Sequence, residues 1–463
     1  MTDQDRYAAL DATVAERLPG WVEELRDYCS IPSEAAEPEA LRRAAAWTAK
    51  RLRAAGAVVE SIELLDVPPL VVGELGEGSQ TLICVQHYDV QPAVPLELWT
   101  APPYQPEVRD GRLYGRGAAD NKGEFLLRVW ALEAYGDAVG PLPCRVRFLV
   151  EGEEESGSEH LDALLDQAAE RGTDLRRGDG ALIEGGSIDD HGRPLLDTGV
   201  RGILVVRLTA RTLSSDAHSS LSMLLPNAAV RLVAALATLW DERGLPRFGG
   251  WNEAARGATR ADRELIGSLP SDELLAELKQ AWGVDRFLAG REGDEALEAM
   301  TFEPTCNIEG IWAGYIGPGA KTVTPAEAHA RLDIRLIPDQ DPERMLAALR
   351  THLDAAGYDD ITITREEAME RPYWSPVDHP IVDAGVRASE AVFDGPALRV
   401  PPAAGVAPMY QVCAKHQVPM VGIGASDAHA YAHAPDESES IELMGKAARV
   451  MARFVDEFAR LER

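Results

Sequence analysis

Thr81-Leu82-Ile83-Cys84-Val85-Gln86-His87-Tyr88-Asp89 is the stretch on which the reading of this chain turns. A short apolar run bounded by polar residues predicts a buried strand over 81–86. His87 then stands where the strand's carboxyl end opens into a crevice, the edge at which open α/β sheets bind ligands. Side chains alternate along extended backbone, so His87 and Asp89 point to one side. The Asp89 carboxylate can hold one imidazole nitrogen by a hydrogen bond and leave the other for a metal. A polar surface loop is the plainer reading of the same residues.

Working outward, apolar residues at three-to-four spacing predict amphipathic helices over 9–28 and 39–55. Strands are expected over 58–64 and 70–74, a helix over 123–135 and a buried strand over 144–150. Strands separated by helices of this length predict an α/β domain, a central mixed sheet flanked by helices. Near Arg201-Gly202 the pattern changes. Residues 203–209 alternate apolar and polar, as a half-solvated strand does. A helix after Pro226-Asn227, strands over 305–312 and 328–337, a helix over 342–356 and a strand over 361–365 predict an inserted α+β domain. The stretch 242–303, rich in Gly and charge, reads as a variable region without assigned elements. After Pro372-Tyr373-Trp374-Ser375-Pro376 the α/β pattern resumes, with a helix over 381–393, a strand over 419–423 and a last helix over 440–461. The expected organisation is residues 1–202 and 371–463 as one domain, with 203–370 inserted.

The chain has 463 residues, with 45% hydrophobic and 26% charged side chains, the balance of a globular protein. Its 76 acidic against 46 basic residues give a net charge of −30, which repels phosphate backbones and anionic lipid and argues against nucleic acid as a partner. The five cysteines, Cys29, Cys84, Cys144, Cys306 and Cys413, show no C-x-x-C spacing, which argues against a disulfide framework or a thiolate metal site. Their apolar neighbours suit small core side chains. No apolar run approaches the ~18 residues of a membrane span. Met1-Thr2-Asp3-Gln4-Asp5 lacks the basic and apolar regions of a signal peptide, so a cytoplasmic location is expected.

Four further positions carry chemistry. Asp120, in Tyr114-Gly115-Arg116-Gly117-Ala118-Ala119-Asp120-Asn121-Lys122-Gly123, lies just ahead of a helix, as a cap or as a carboxylate that offers its two oxygens to two cations. Glu151-Gly152-Glu153-Glu154-Glu155 crowds four carboxylates after a strand, which repel one another unless solvent or cations neutralise them. One of two adjacent carboxylates can ligate metal while its neighbour takes a proton. Glu184 follows Ala181-Leu182-Ile183 at another strand end, and His433 lies in Ala432-His433-Ala434-Pro435-Asp436-Glu437. Taken together, two His and three carboxylates without a thiolate suit two Zn²⁺, or Mn²⁺ or Co²⁺, bridged by one carboxylate and one water.

These residues resemble the dinuclear zinc hydrolases of metallopeptidase clan MH, the family of carnosinase, cytosolic non-specific dipeptidase, glutamate carboxypeptidase and the acetylornithine and succinyl-diaminopimelate deacylases. The resemblance rests on His87-Tyr88-Asp89-Val90-Gln91-Pro92, Gly115-Arg116-Gly117 with Asp120-Asn121-Lys122-Gly123, and Glu154-Glu155-Ser156-Gly157-Ser158, and it runs through residues 10–440. It implies that Asp120 bridges both metals, that His87 and Glu184 complete one and Glu155 and His433 the other. It also implies that Asp89 orients His87, that Glu154 is the general base toward a metal-bridging water, and that the Asp120-Asn121 peptide is cis. The inserted domain resembles the family's lid, which also dimerises. Ser215-Asp216-Ala217-His218-Ser219 matches its His motif, which implies His218 as the oxyanion support in the partner's site. Gly317-Pro318-Gly319-Ala320-Lys321-Thr322 and Asp333-Ile334-Arg335-Leu336 match as well, which implies Arg335 and Thr322 as grips on a substrate carboxylate.

The resemblance therefore implies a zinc-dependent, homodimeric hydrolase of amide bonds in small carboxylate-bearing substrates, dipeptidase- or carboxypeptidase-like. N-acyl amino acid deacylation is the alternative, and both readings use the same residues in the same roles. A non-catalytic binding protein on this fold would show a lost ligand or base, and neither is lost. Two departures bear on substrate. The family's Gly-Gly-Ser-Ile-Pro-like loop reads Ala404-Gly405-Val406-Ala407-Pro408, which removes a hydroxyl that contacts substrate. Glu184 stands where dipeptidase members carry Asp, and carboxypeptidase and deacylase members more often carry Glu. His429 is a second candidate for the place of His433.

Overall fold

In the computed structural model, which describes residues 3–252, 255–366, 369–401 and 405–461, the stretch 81–89 forms the strand Thr81–His87 inside a nine-stranded mixed sheet. The strand order is Val58–Ile62, Leu70–Leu75, Arg145–Glu151, Thr81–His87, Gly180–Ile183, Met420–Gly422, Pro194–Asp197, Leu398–Val400, with Ser187–Ile188 paired onto Pro194–Asp197. The four strands from Arg145–Glu151 to Met420–Gly422 are mutually parallel, and antiparallel strands flank them. Parallel strands are covered on both faces, which explains why this part of the sequence shows unbroken apolar runs.

Leu82 and Cys84, with Val146, Phe148 and Val150, face one shared core with the helices Asp3–Cys29, Pro38–Ala54, Lys122–Ala138, Pro380–Glu390 and Ile441–Ala459. The helix Lys122–Ala138 lies at the middle of this packing, buried nearly all round, and so shows no apolar stripe. Asp456 on the last helix accepts hydrogen bonds from Tyr7 (2.9 Å), Tyr135 (2.6 Å) and Arg6 (3.0 Å), which ties the first, central and last helices together.

The chain divides into two units. One holds the residues up to Val200 and those from Trp374 onward apart from 404–407; the other holds Arg201–Tyr373 with 405–407. In the second unit a four-stranded antiparallel sheet runs Thr305–Ala313, Glu327–Leu336, Gly202–Arg211, Thr362–Arg365. Glu327–Leu336 alternates strictly: Ala328, Ala330, Leu332, Ile334 and Leu336 join a core with the helices Ala228–Leu236 and Pro342–Ala355. His329, Arg331, Asp333 and Arg335 stand on its other face.

Two expectations are corrected. The stretch 242–303 contains three helices, Arg260–Ile266, Ser271–Trp282 and Gly293–Phe302. The first is only seven residues long, and Thr259 and Asp262 form a reciprocal capping box at its start. Cys306 is only half-buried, whereas the other four cysteines are buried, and all five are unpaired. Among the described residues no helix is long and apolar enough to cross a membrane.

Candidate metal centre

Three parallel strands end at one edge of the larger sheet, and each end carries a titratable side chain. Thr81–His87 ends on His87, which pairs in register with Glu151 of the neighbouring strand. From Glu151 the chain passes Gly152 and Glu153 into the short turn Glu154–Ser156. Gly152 has to be glycine, because a Cβ there would lie 2.4 Å from the ring of Tyr88. Glu184 follows Gly180–Ile183 directly. Asp120 lies just before the helix Lys122–Ala138, and the Asp120-Asn121 peptide is cis. His433 lies in the loop before the strand Ser438–Ser440.

Asp120 stands between the two imidazoles. Its Oδ1 is 3.1 Å from His87 Nε2 and its Oδ2 is 2.9 Å from His433 Nε2. His87 Nε2 also lies 3.0 Å from Glu184 Oε2 and 3.9 Å from Glu154 Oε2. His433 Nε2 lies 3.2 Å from Glu155 Oε2. His87, Asp120 and Glu155 present atoms close enough for one ion, and so do His87, Glu154 and Glu184. His429 is not part of this cluster: it is exposed, its ring is against Tyr431 and its N–H is bonded to Asp427.

Burial opposes charging His87, but Glu184, Asp120 and Asp89 outweigh it and hold the imidazole well above its ordinary basicity. His433 is pushed up to about 10 by hydrogen bonds to Asp120 and Glu155. Asp120 is buried, yet the two imidazoles hold its carboxyl below the usual range. Burial, then the charge of Glu184, raises Glu154 well above an ordinary carboxyl, and burial raises Glu184 too. Two imidazoles and four carboxylates packed around shared atoms, with no thiolate, form a donor set fitted to hard or borderline divalent cations. Cations would take the place of the imidazole protons.

The surroundings hold these ligands in place. The Nδ1 of His87 is 3.0 Å from the backbone carbonyl of Asp89 and 3.3 Å from its Oδ1, so the carbonyl is the nearer partner. The Asp89 carboxylate also accepts the Glu155 N–H at 3.0 Å. The Gln91 side-chain amide donates to the Glu155 carbonyl at 3.2 Å. Asn121 Nδ2 donates to Glu184, and the fully buried Arg128 donates to the carbonyls of Ile183 and Ile423 at 2.9 Å each. Sequence reading missed Asn121, Gln91 and Arg128 as supports; the first two lie inside the quoted motifs, and nothing local marks Arg128.

His218, Thr322 and Arg335 belong to the second unit. The two-residue strands Ala217–His218 and Val323–Thr324 pair, with His218 opposite Val323, and the Ser219 N–H donates to the Thr322 carbonyl at 3.1 Å. His218 is exposed, and its Nδ1 accepts the Ser220 N–H at 3.2 Å. Arg335 stands on the polar face of the four-stranded sheet, with its Nε 3.2 Å from Asp333. Of the loop expected at 404–408, Ala404 lies outside the described residues.

The sequence profile of peptidase family M20/M25/M40 matches residues 84–457. The chain is similar to the Beta-Ala-His dipeptidase of Rattus norvegicus, 28% identical over 432 residues that cover 88% of this chain and 87% of that protein. It is also similar to the Cys-Gly metallodipeptidase dug1 of Schizosaccharomyces pombe, 28% identical over 336 residues that cover 71% of this chain and 69% of that protein. Among solved structures, the M20 family metallo-carboxypeptidase Sso-CP2 of Sulfolobus solfataricus superposes with a TM-score of 0.87 at 31% identity, covering 95% of this chain and 99% of that one.

Proposed function

The chain belongs to peptidase family M20/M25/M40 and is a metal-dependent hydrolase of peptide bonds in small substrates, and from that premise we propose that its centre holds two zinc ions, with Mn²⁺ or Co²⁺ as substitutes. The observation that carries this reading is the placement of Asp120, whose two oxygens face two different imidazoles. His87 and Glu184 would hold one ion with Asp120, and Glu155 and His433 the other. When bound, the ions supply Lewis-acid polarisation of the scissile carbonyl and ease deprotonation of water.

Glu154 takes the proton of the attacking water and passes it to the leaving amine. Burial raises the basicity of its carboxylate, which strengthens it as a proton acceptor once it is ionised. His218 donates to the developing oxyanion from Nε2, because the Ser220 N–H occupies Nδ1. Arg335, engaged by Asp333 at Nε, offers its two Nη groups to a substrate carboxylate, and Thr322 adds a hydrogen bond. The substrate is a dipeptide or a peptide with a free C-terminal carboxylate. The solved carboxypeptidase relative supports this reading, and so does the Glu at position 184.

We further propose a homodimer through the second unit. Thr305–Ala313 is an edge strand with Ile308 and Ile311 exposed, and Met223, Leu224, Val230 and Val233 are exposed as well. A cytoplasmic location is part of the same proposal, supported by five unpaired cysteines.

The test is elemental analysis of protein purified without chelator, paired with hydrolysis of dipeptides, longer peptides and N-acyl amino acids under added Zn²⁺, Mn²⁺ or Co²⁺. About two ions per chain and amine released from dipeptides or C-terminal residues are expected. Release from N-acyl amino acids alone would move the assignment to a deacylase, and no retained metal would overturn the ligand set. Sedimentation at the single-chain mass of 50.2 kDa would overturn the dimer.

A further inference from the structure

Glu437 has no exposed surface and is not one of the candidate ligands, yet it binds the segment that carries Asp120 at five donors. Its Oε1 accepts the backbone N–H groups of Ala119 and Asp120, both at 3.0 Å. Its Oε2 accepts the Gly117 N–H at 3.1 Å and Arg116 Nη1 at 2.5 Å. Its own carbonyl accepts the Gly115 N–H at 2.9 Å. The loop thus wraps its amides around an internal carboxylate, in the way backbone nests enclose an anion. Gly117 adopts φ +85°, where a Cβ would meet Val90 at 2.9 Å, so the wrap also depends on that glycine.

The charge is compensated locally. Arg116 is 1% exposed, lies 5.3 Å from the centre of the Trp99 ring and reaches the Pro92 carbonyl at 3.4 Å. Next to Glu437, Asp436 anchors the Thr100 N–H and hydroxyl at 2.9 and 2.6 Å. A buried carboxylate is costly unless its acceptors are filled, and here four donors fill the two oxygens. Three of those donors are amides of residues 117–120, so the carboxylate fixes the peptide planes that aim the Asp120 side chain. Glu437 follows His433 by four residues, so one short segment carries both a ligand and the anchor of the central ligand.

We propose that Glu437 is a positioning residue that holds Asp120 ready for cations and couples its loop to His433. The inference rests on the reading of Asp120 and His433 as metal ligands. Replacing Glu437 by Gln puts an NH₂ group against amide donors, and the loop then loses part of its anchor while the side-chain volume is kept. Supports of this kind are worth roughly 10–100-fold in metal affinity.

The experiment is Zn²⁺ titration of the metal-free full chain against a competing chelator, with hydrogen exchange of the segment 115–121 followed in the metal-free state. For Glu437→Gln we expect affinity at least about tenfold weaker, faster exchange across 115–121, and turnover restored by excess Zn²⁺. Asp456→Asn is the control: it removes another buried carboxylate, one that binds Arg6, Tyr7 and Tyr135 and not the segment 115–121, and should lower Tm while leaving affinity and exchange of 115–121 as in the parent. A folded Glu437→Gln with parental affinity and exchange would overturn the proposal. Should that variant not fold, Arg116→Lys decides, with weakened affinity supporting the proposal and parental affinity overturning it. If the parent itself binds no Zn²⁺, the ligand assignment fails, while the exchange comparison still tests the anchoring by Glu437.

Discussion

His87 has no exposed surface and lies within 4 Å of the carboxylates of Asp89, Asp120, Glu154 and Glu184. His218 stands exposed on a two-residue ribbon with Ser220 as its hydrogen-bond partner. Both histidines are assigned to the same reaction, yet the fold treats them differently. The first is set by sheet register, by a buried helix and by charge packing, all of which form as the larger unit folds. The second is set by a short ribbon whose residues cover little apolar surface. Substitutions in the first region should therefore disturb cation binding and turnover together, unless they remove a group that transfers protons without holding a cation. Substitutions in the second should change rate or substrate affinity alone.

The largest effect is expected where the first region has such an exception. Glu154→Gln keeps volume and removes the proton acceptor, so kcat should fall roughly 10²–10⁴-fold with metal content unchanged. Steady-state kinetics with elemental analysis of the same preparation checks this. A variant that lost its metal would make Glu154 a ligand, in line with its grouping with His87 and Glu184. The second region should answer more weakly. His218→Ala should lower kcat about 10²-fold, the scale of one lost oxyanion donor, and Arg335→Met should raise KM roughly tenfold or more with kcat less affected. In both, Tm and metal content should match the parent, and a lowered metal content in either would break the comparison.

The sequence exposed these two regions unequally for the same physical reason. His87, Glu184 and the carboxylate cluster 151–155 lie at or after the ends of apolar strands, so strand ends mark them as candidates, and the family resemblance singles out Glu154 and Glu155 within the cluster. The strand Glu327–Leu336 was legible too, read over 328–337, and its strict alternation puts one face on the core. What remained hidden were contacts that only the fold creates. Arg128 reaches carbonyls 55 and 295 residues away, and Glu437 binds amides more than 300 residues earlier. The helices within 242–303 lie in a stretch whose Gly and charge content drew the reading, although Ser271–Trp282 carries apolar residues at helical spacing. His433 was preferred to His429 because Pro435 and the acidic pair after it fit the family resemblance better, and its approach to Asp120 agrees with that choice.

A stability measurement decides whether the buried carboxylates of the larger unit depend on cations or on burial alone. Glu439 is 1% exposed, accepts the Ser426 hydroxyl at 2.7 Å and the Ser440 N–H at 2.8 Å, and is not a candidate ligand. Burial pushes its carboxyl up to about 8, with the charge of Glu124 adding to the rise and the hydrogen bonds and Arg112 opposing it. The folded chain therefore holds this proton more tightly than the unfolded chain, where the group titrates near ~4.3. Its contribution is fully present below that value, shrinks as pH rises, and is lost once pH passes about 8. Glu439→Gln keeps the contacts to Ser426 and Ser440 without the titration. Urea denaturation of the metal-free protein from pH 5 to 9 should show the parent losing about 4 kcal/mol relative to the variant over that window, a shift of a few degrees in Tm for a chain of this length. Parallel pH profiles would mean that water or a structural rearrangement relieves Glu439 in the folded state. In that case burial alone would not account for the raised carboxyls of the neighbouring centre, and their dependence on cations would be the stronger reading.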